Sequence, residues 1–247
     1  MKLIFIRHAD PDYSVDSLTP QGFIEAEALR ERMEKIYAEG GESVHSYVSP
    51  LGRAKKTAEI AMKNTGRTAE EKEWLREFNY SVKKPRDNGD FGDCVWDWYP
   101  GDLCKRPAFF DRNEWLNEAE MTKAGVPEAY RHVCDCLDSL LSEYGYRREG
   151  LYYRVTEANH DTLVFYCHFG LECVLLSHLI NVSPMVLWHG FCSAPSGLTT
   201  VNTEEREKGI ASMRAAAFGD ISHLYAKGIK PSFHARFCEC FEDETRH

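Results

Sequence analysis

Short apolar runs alternate with longer stretches of helical spacing along most of the chain. Leu3-Ile4-Phe5-Ile6 is short, bulky and β-branched, which predicts a buried strand ending where Arg7 and His8 begin. A polar loop follows. Thr19-Pro20 then reads as a helix start, Thr as N-cap and Pro at the first helical position. Ala26, Leu29, Met33 and Ile36 continue it at helical spacing, and "EGGES" ends it. "HSYV" (45–48) predicts a short strand. "SPLGRAKKTAEIAMKNTG" repeats the start signal, with Ser49 as N-cap, Pro50 first in the helix, and Ala54, Ala58 and Ala61 along one face.

The periodicity breaks between about 78 and 120. Gly, Pro, aspartates and aromatics mix there, including Trp96, Trp98 and Trp115. Disordered segments are poor in aromatics, so this reads as an inserted cap or lid whose tryptophans mostly pack it down. Helical spacing returns over 122–144 through Val126, Val133, Leu137, Leu140 and Leu141. "GLYYRVTEANHDTLVFYCH" predicts two strands around an Asn-His-Asp turn, then a helix over about 170–181. "LTTVNTE" and "SMRAAAFGD" predict late strands, and the tail "CECFEDETRH" a surface segment. This alternation predicts an α/β fold, a three-layer α/β/α sandwich with a mostly parallel central sheet. The expected domain is one, spanning 1–247, with the insertion at about 78–120.

Bulk numbers narrow the function. Over 247 residues, 43% hydrophobic content supports a real core, while mean hydropathy is −0.47. No apolar stretch approaches the roughly 20 residues of a membrane span. The first apolar run is too short for a signal peptide, so a cytoplasmic protein is expected. A net charge of −9 argues against a broad nucleic-acid or anionic-membrane surface, though a local cationic pocket remains compatible. Nine cysteines fit reduced thiols. Cys167, Cys173 and Cys192 have apolar neighbours and are expected in the core. The pairs Cys134/Cys136 and Cys238/Cys240 lack the C-x₂-C spacing of usual zinc sites, so a zinc hydrolase is the weakest alternative.

The candidate chemistry gathers at element ends. "LIFIRHAD" and "LVFYCHFG" both end a strand in histidine, His8 and His168. "VSPLGRA" puts Arg53 in the first turn of a helix, whose N–H groups suit an anion. Parallel neighbouring strands would collect Arg7, His8, Arg53 and His168 at one sheet edge, a cationic pocket suited to a phosphoryl dianion. Taken singly, each of these residues is more often structural; the set is harder to explain so.

Arg7-His8, the L-T-x-x-G of Leu18, Thr19 and Gly22, the S-P-x-x-R-A-x-x-T-A of Ser49 to Ala58, His168-Phe169-Gly170 and "AFGDISHL" (217–224) together resemble the histidine phosphatase superfamily, the phosphoglycerate mutase-like family. Ala9 departs from the glycine many members carry, which a negative φ would accommodate. The resemblance implies a metal-independent phosphomonoester hydrolase, with no cofactor and no metal. His8 would be the nucleophile, forming a phosphohistidine. Its other ring nitrogen would be held as a donor, with a backbone carbonyl as candidate acceptor. Arg7, Arg53 and His168 would bind and neutralise the phosphoryl oxygens. The family's general acid lies after the second helix, where Glu70, Glu71, Glu73 and Glu77 are candidates. Glu77 has the most apolar surroundings and best fits the pattern; Asp10 and Glu172 stand in reserve. The expected partner is a small phosphorylated substrate, and the aromatic insertion also offers a homo-oligomer interface. The alternatives are a mutase, which needs a lid excluding water, and a non-catalytic phospho-ligand module on the same fold.

Overall fold

The computed structural model describes residues 1–84 and 94–234. Arg86, Asp87, Asp90, Asp93, part of the expected cap, the Cys238/Cys240 pair and the tail lie outside the described residues. The strands are β1 (Lys2–Arg7), β2 (Pro11–Asp12), β3 (Ser17–Leu18), β4 (Val44–Val48), β5 (Glu70–Glu71), β6 (Tyr146–Glu149), β7 (Tyr152–Val155), β8 (Thr162–Cys167), β9 (Leu198–Glu207) and β10 (Ile210–Asp220). The helices are α1 (Pro20–Gly40), α2 (Gly52–Ala61), α3 (Pro100–Leu103), α4 (Ala119–Lys123), α5 (Val126–Glu143), α6 (Phe169–Ile180), α7 (Pro184–Gly190) and α8 (Ser222–Tyr225).

One mixed sheet of eight strands, in the order β5-β4-β8-β1-β9-β10-β7-β6, organises the fold. Its core β5-β4-β8-β1 is parallel, and β9, β10, β7 and β6 extend it antiparallel. Strand alternation sorts the apolar residues into two layers. Leu3, Phe5, Leu163 and Phe165 face α5, α6 and α7, while Ile4, Ile6, Val164 and Tyr166 face α1 and α2. Phe5 and Tyr47, on the strands either side of β8, both stack on Phe165, at 5.1 and 5.4 Å between ring centroids. Each such ring contributes about 1.5–3 kcal/mol by leaving water.

Local sequence explains the helix starts that matter. The Thr19 hydroxyl accepts from the Gly22 N–H at 3.0 Å, capping α1 as expected. Helix α2 starts later than predicted. Leu51 is its N-cap, and Ser49 and Pro50 precede it. Ser49 is diverted because its hydroxyl bonds the His168 ring at 2.8 Å. The strands flanking Asn159-His160-Asp161 do not pair with each other: β8 lies between β4 and β1, and β7 pairs with β6 and β10. Trp98, Phe109 and Trp115 of the 78–120 stretch are buried with α5, α6 and α7, the packing role expected for most of its aromatics. Cys167 and Cys173 are buried, but Cys192, expected in the core, is exposed.

Candidate active site

The parallel pairing of β1 with β8 sets Arg7 beside Cys167, so His8 and His168 leave the sheet as neighbours. The His8 N–H donates to the Cys167 carbonyl at 3.0 Å, and the two imidazoles lie 5.1 Å apart. Strand β4 ends at the same edge, and the loop after it carries Ser49 to His168 and α2 to Arg53. The described structure thus brings together Arg7, His8, Arg53 and His168, all buried, at the carboxyl edge of the parallel strands. Crevices of this kind are where open α/β sheets bind ligands.

The ring of His8 has a defined tautomer. Nδ1 lies 2.8 Å from the Ala9 carbonyl oxygen, an atom that only accepts, so Nδ1 carries the proton. Nε2 therefore bears the lone pair, and the Arg53 Nε–H faces it at 3.3 Å. Burial holds the His8 pKa well below 6.5, with Arg7 and Arg53 adding to the effect. Burial acts likewise on His168, with His8 and both arginines reinforcing it. Its Nδ1 is buried without a hydrogen-bond partner among the described residues. Ala9 is absent from the positive-φ residues, so the missing glycine is accommodated.

The two arginines differ. Arg53 is held by Asp16 at 2.7 Å and lies over the Tyr13 ring at 5.2 Å. Arg7 lies 5.8 Å over Phe169 and donates to the carbonyls of Ser193 at 2.5 Å and His234 at 3.4 Å, while its buried Nε has no partner among the described residues. Burial lowers the Arg7 pKa, and the field of Tyr13, Glu77 and Glu172 opposes that.

Glu77 reaches this edge from the segment after α2. Its Oε1 accepts from the N–H groups of Phe78 at 2.8 Å and Leu171 at 2.9 Å, and Oε2 from Gly170 at 3.4 Å. The carboxyl thus sits on the start of α6, one turn from His168. Burial nevertheless pushes its pKa up, against those three N–H groups. Glu70, Glu71 and Glu73 pair instead with Lys72, Lys55 and Arg76 on the surface. Asp10 accepts from the Thr19 hydroxyl at 2.6 Å and lies 3.2 Å from the His234 ring. Glu172 is fully buried, accepts from the Thr199 hydroxyl, and burial pushes it up to about 7.

Two glycines near this edge, Gly22 of the sequence signature and Gly52, have steric reasons. A Cβ on Gly22 would lie 2.2 Å from the Asp10 carbonyl oxygen, and one on Gly52 2.1 Å from that of Asp16. Among the described residues, no group of three or more His, Cys, Asp or Glu side chains is placed to hold a metal, and no helix is long and apolar enough to cross a membrane. Sequence reasoning missed Asp16, Ser49 as the partner of His168, and the Ser193 carbonyl. None carries a local signal, because each acts on a residue more than thirty positions away.

This edge sets histidines at the ends of two adjacent parallel strands, with Arg7 from β1 and Arg53 from α2 beside them. Residues 3–90 match the family model described as "Histidine phosphatase superfamily (branch 1)", so the resemblance read from the sequence is borne out. The fold is similar to phosphoserine phosphatase from Entamoeba histolytica (17% identity, 90% of this chain and 98% of that one, TM-score 0.58). It is also similar to mycobacterial glucosyl-3-phosphoglycerate phosphatase (17%, 88% and 98%, TM-score 0.55) and to alpha-ribazole phosphatase from Shigella flexneri (18%, 90% and 97%, TM-score 0.54). No curated protein matches the chain.

Proposed function

We propose that the chain is a histidine phosphatase-like domain that hydrolyses small phosphomonoesters without a metal, through a phosphohistidine on His8. The observation that carries this reading is the His8 ring: Nδ1 tied to Ala9 and Nε2 lone pair turned toward Arg53. An incoming phosphoryl group would replace the long Arg53 contact and take Arg53, Arg7 and His168 Nδ1 as partners for its oxygens. His8 Nε2 forms a bond to phosphorus as the ester P–O bond breaks. Glu77 gives its proton to the departing oxygen. Water then attacks the phosphohistidine and the ionised Glu77 accepts its proton, releasing phosphate and restoring His8. The phosphatases named above share the fold and support this reading.

The test is hydrolysis of an aryl phosphate in EDTA by wild type and His8→Ala, with acid-quenched trapping of labelled phosphoenzyme. Chelator-resistant turnover and an acid-labile phosphoenzyme, both lost in His8→Ala, are expected. Turnover that survives the substitution would overturn the mechanism.

A further inference from the structure

A second cavity adjoins the phosphoryl pocket. It holds about 400 Å³ and is walled by Trp96, Trp98, Trp188, Phe191, His189 and Asp97. That volume accommodates a group of one or two fused rings. Trp96 joins the two spaces. A Cβ on Gly170 would meet both Trp96 Nε1, at 2.6 Å, and Glu77 Oε1, at 2.7 Å, so indole and carboxyl converge on one point. Trp96 also sets its edge against Phe169, the ring beneath Arg7, at 6.2 Å. On the other side, Cys192 lines the cavity and is followed at once by Ser193, whose carbonyl accepts from Arg7. A group leaving past Glu77 therefore enters this cavity.

The wall chemistry selects its occupant. Among the described residues no Lys or Arg lines the cavity, and the acidic Asp97 does. The cations nearby are engaged: Lys84 donates to the Asp97 carbonyl, and Arg106 is held by Glu118 and Glu120. His189 supplies no charge either. Its Nε2 accepts the Trp98 N–H at 3.2 Å, Nδ1 donates to the Met185 carbonyl at 2.8 Å, and burial lowers its pKa. A leaving group with a carboxylate or second phosphate would be desolvated there without a counter-charge. A flat neutral ring would pack against the aromatic walls at van der Waals distance without losing a counter-charge.

We propose that this cavity is the leaving-group subsite and that the substrates are phosphomonoesters of neutral aromatic or ring-bearing alcohols, discriminated against those with a second anion. This rests on the phosphatase reading for the word substrate, but the subsite is testable without turnover. Phe191 is half exposed, so Phe191→Ala should fold. The experiment measures calorimetric binding of 2-naphthylmethylphosphonate and methylphosphonate to wild type and Phe191→Ala, alongside hydrolysis of naphthyl, methyl and carboxyalkyl phosphates. The naphthyl ligand is expected to bind wild type at least tenfold tighter than methylphosphonate. Phe191→Ala should erase at least threefold of that preference by weakening the naphthyl ligand more than methylphosphonate. Equal affinities in wild type, a preference insensitive to Phe191→Ala, or faster kcat/KM on the carboxyalkyl ester would overturn the proposal. Naphthyl preference without hydrolysis of any ester would uphold the subsite and overturn the phosphatase reading instead.

Discussion

Glu77→Gln separates acid catalysis from folding. The amide oxygen can take over both short bonds, from Phe78 at 2.8 Å and Leu171 at 2.9 Å. The amide nitrogen replaces Oε2, which Gly170 reaches only at 3.4 Å, so one weak hydrogen bond is lost. That costs about 0.5–1.5 kcal/mol, too little to unfold the domain. Loss of a general acid costs about 10²–10⁴ in rate, but only where the departing oxygen needs a proton. On an alkyl phosphate the variant should lose that full factor in kcat/KM. On p-nitrophenyl phosphate, whose phenolate departs unaided, it should lose less than about tenfold, because positioning by Arg7, Arg53 and His168 is untouched. The pH profile gives a second reading. Burial keeps His8 neutral well below 6.5, so the acid limb should fall below the ordinary histidine range. Burial raises the Glu77 pKa, so the protonated acid persists above the ordinary carboxylate range and sets the alkaline limb. Glu77→Gln should abolish the alkaline limb and keep the acid one. Equal losses on both esters, or an unchanged alkaline limb, would refute the assignment.

Glu172 bears on stability rather than chemistry. Its folded pKa, pushed up to about 7 from 4.5, means the native state holds its proton more tightly, so its contribution is full below about 4.5 and lost as pH rises through 7. Glu172→Gln should therefore gain about 3 kcal/mol relative to wild type between pH 4.5 and pH 8, read by urea unfolding at both. Gly22→Ala forces a Cβ to 2.2 Å from a backbone oxygen in a packed region, and should cost at least about 2 kcal/mol, seen as a lower Tm; an unchanged Tm would contradict the steric reason given for the signature glycine. Asp16→Asn removes the charge holding Arg53 from a half-exposed carboxylate, so stability should move by less than about 1 kcal/mol. Phosphate affinity, measured calorimetrically, should change by severalfold, and no change would remove Asp16 from any positioning role.

The half of the fold that builds the site was the most legible. β1 and β8 are buried on both faces, so each reads as a nearly unbroken apolar run, and the charged or polar residue ending it marks the ligand edge, whereas β4, Val-His-Ser-Tyr-Val, carries the signal less cleanly. β6, with the sequence Tyr-Arg-Arg-Glu, gives no such signal because it is an outer strand with alternate faces in water. Ser49 shows how a local rule fails at a functional place. Ser-Pro is a good helix start, but its hydroxyl serves His168, and the helix begins three residues on. Asp16 is invisible because its partner Arg53 is thirty-seven residues away and its backbone, at φ 47°, takes a conformation no local pattern forecasts.

The charge arrangement is intelligible as a site prepared for a dianion. On a chain of net charge −9, a buried guanidinium would ordinarily be matched by a carboxylate. Arg53 has one, Asp16, which stands half in water and neutralises weakly. Arg7 has two backbone carbonyls and an aromatic face, and among the described residues no carboxylate forms an ion pair with it. The buried acids whose field acts on it, Glu77 and Glu172, are both raised in pKa by burial, which weakens them as counter-charges. Both histidines are pushed toward neutrality, which leaves positive charge on the guanidiniums alone. Such an under-neutralised cluster is unfavourable in the folded state by itself, and the phosphoryl group of the proposed substrate would supply the missing charge. On the proposed mechanism, the same burial that makes the pocket costly fixes which nitrogen would attack, which carboxyl would carry the proton and where the negative charge would sit.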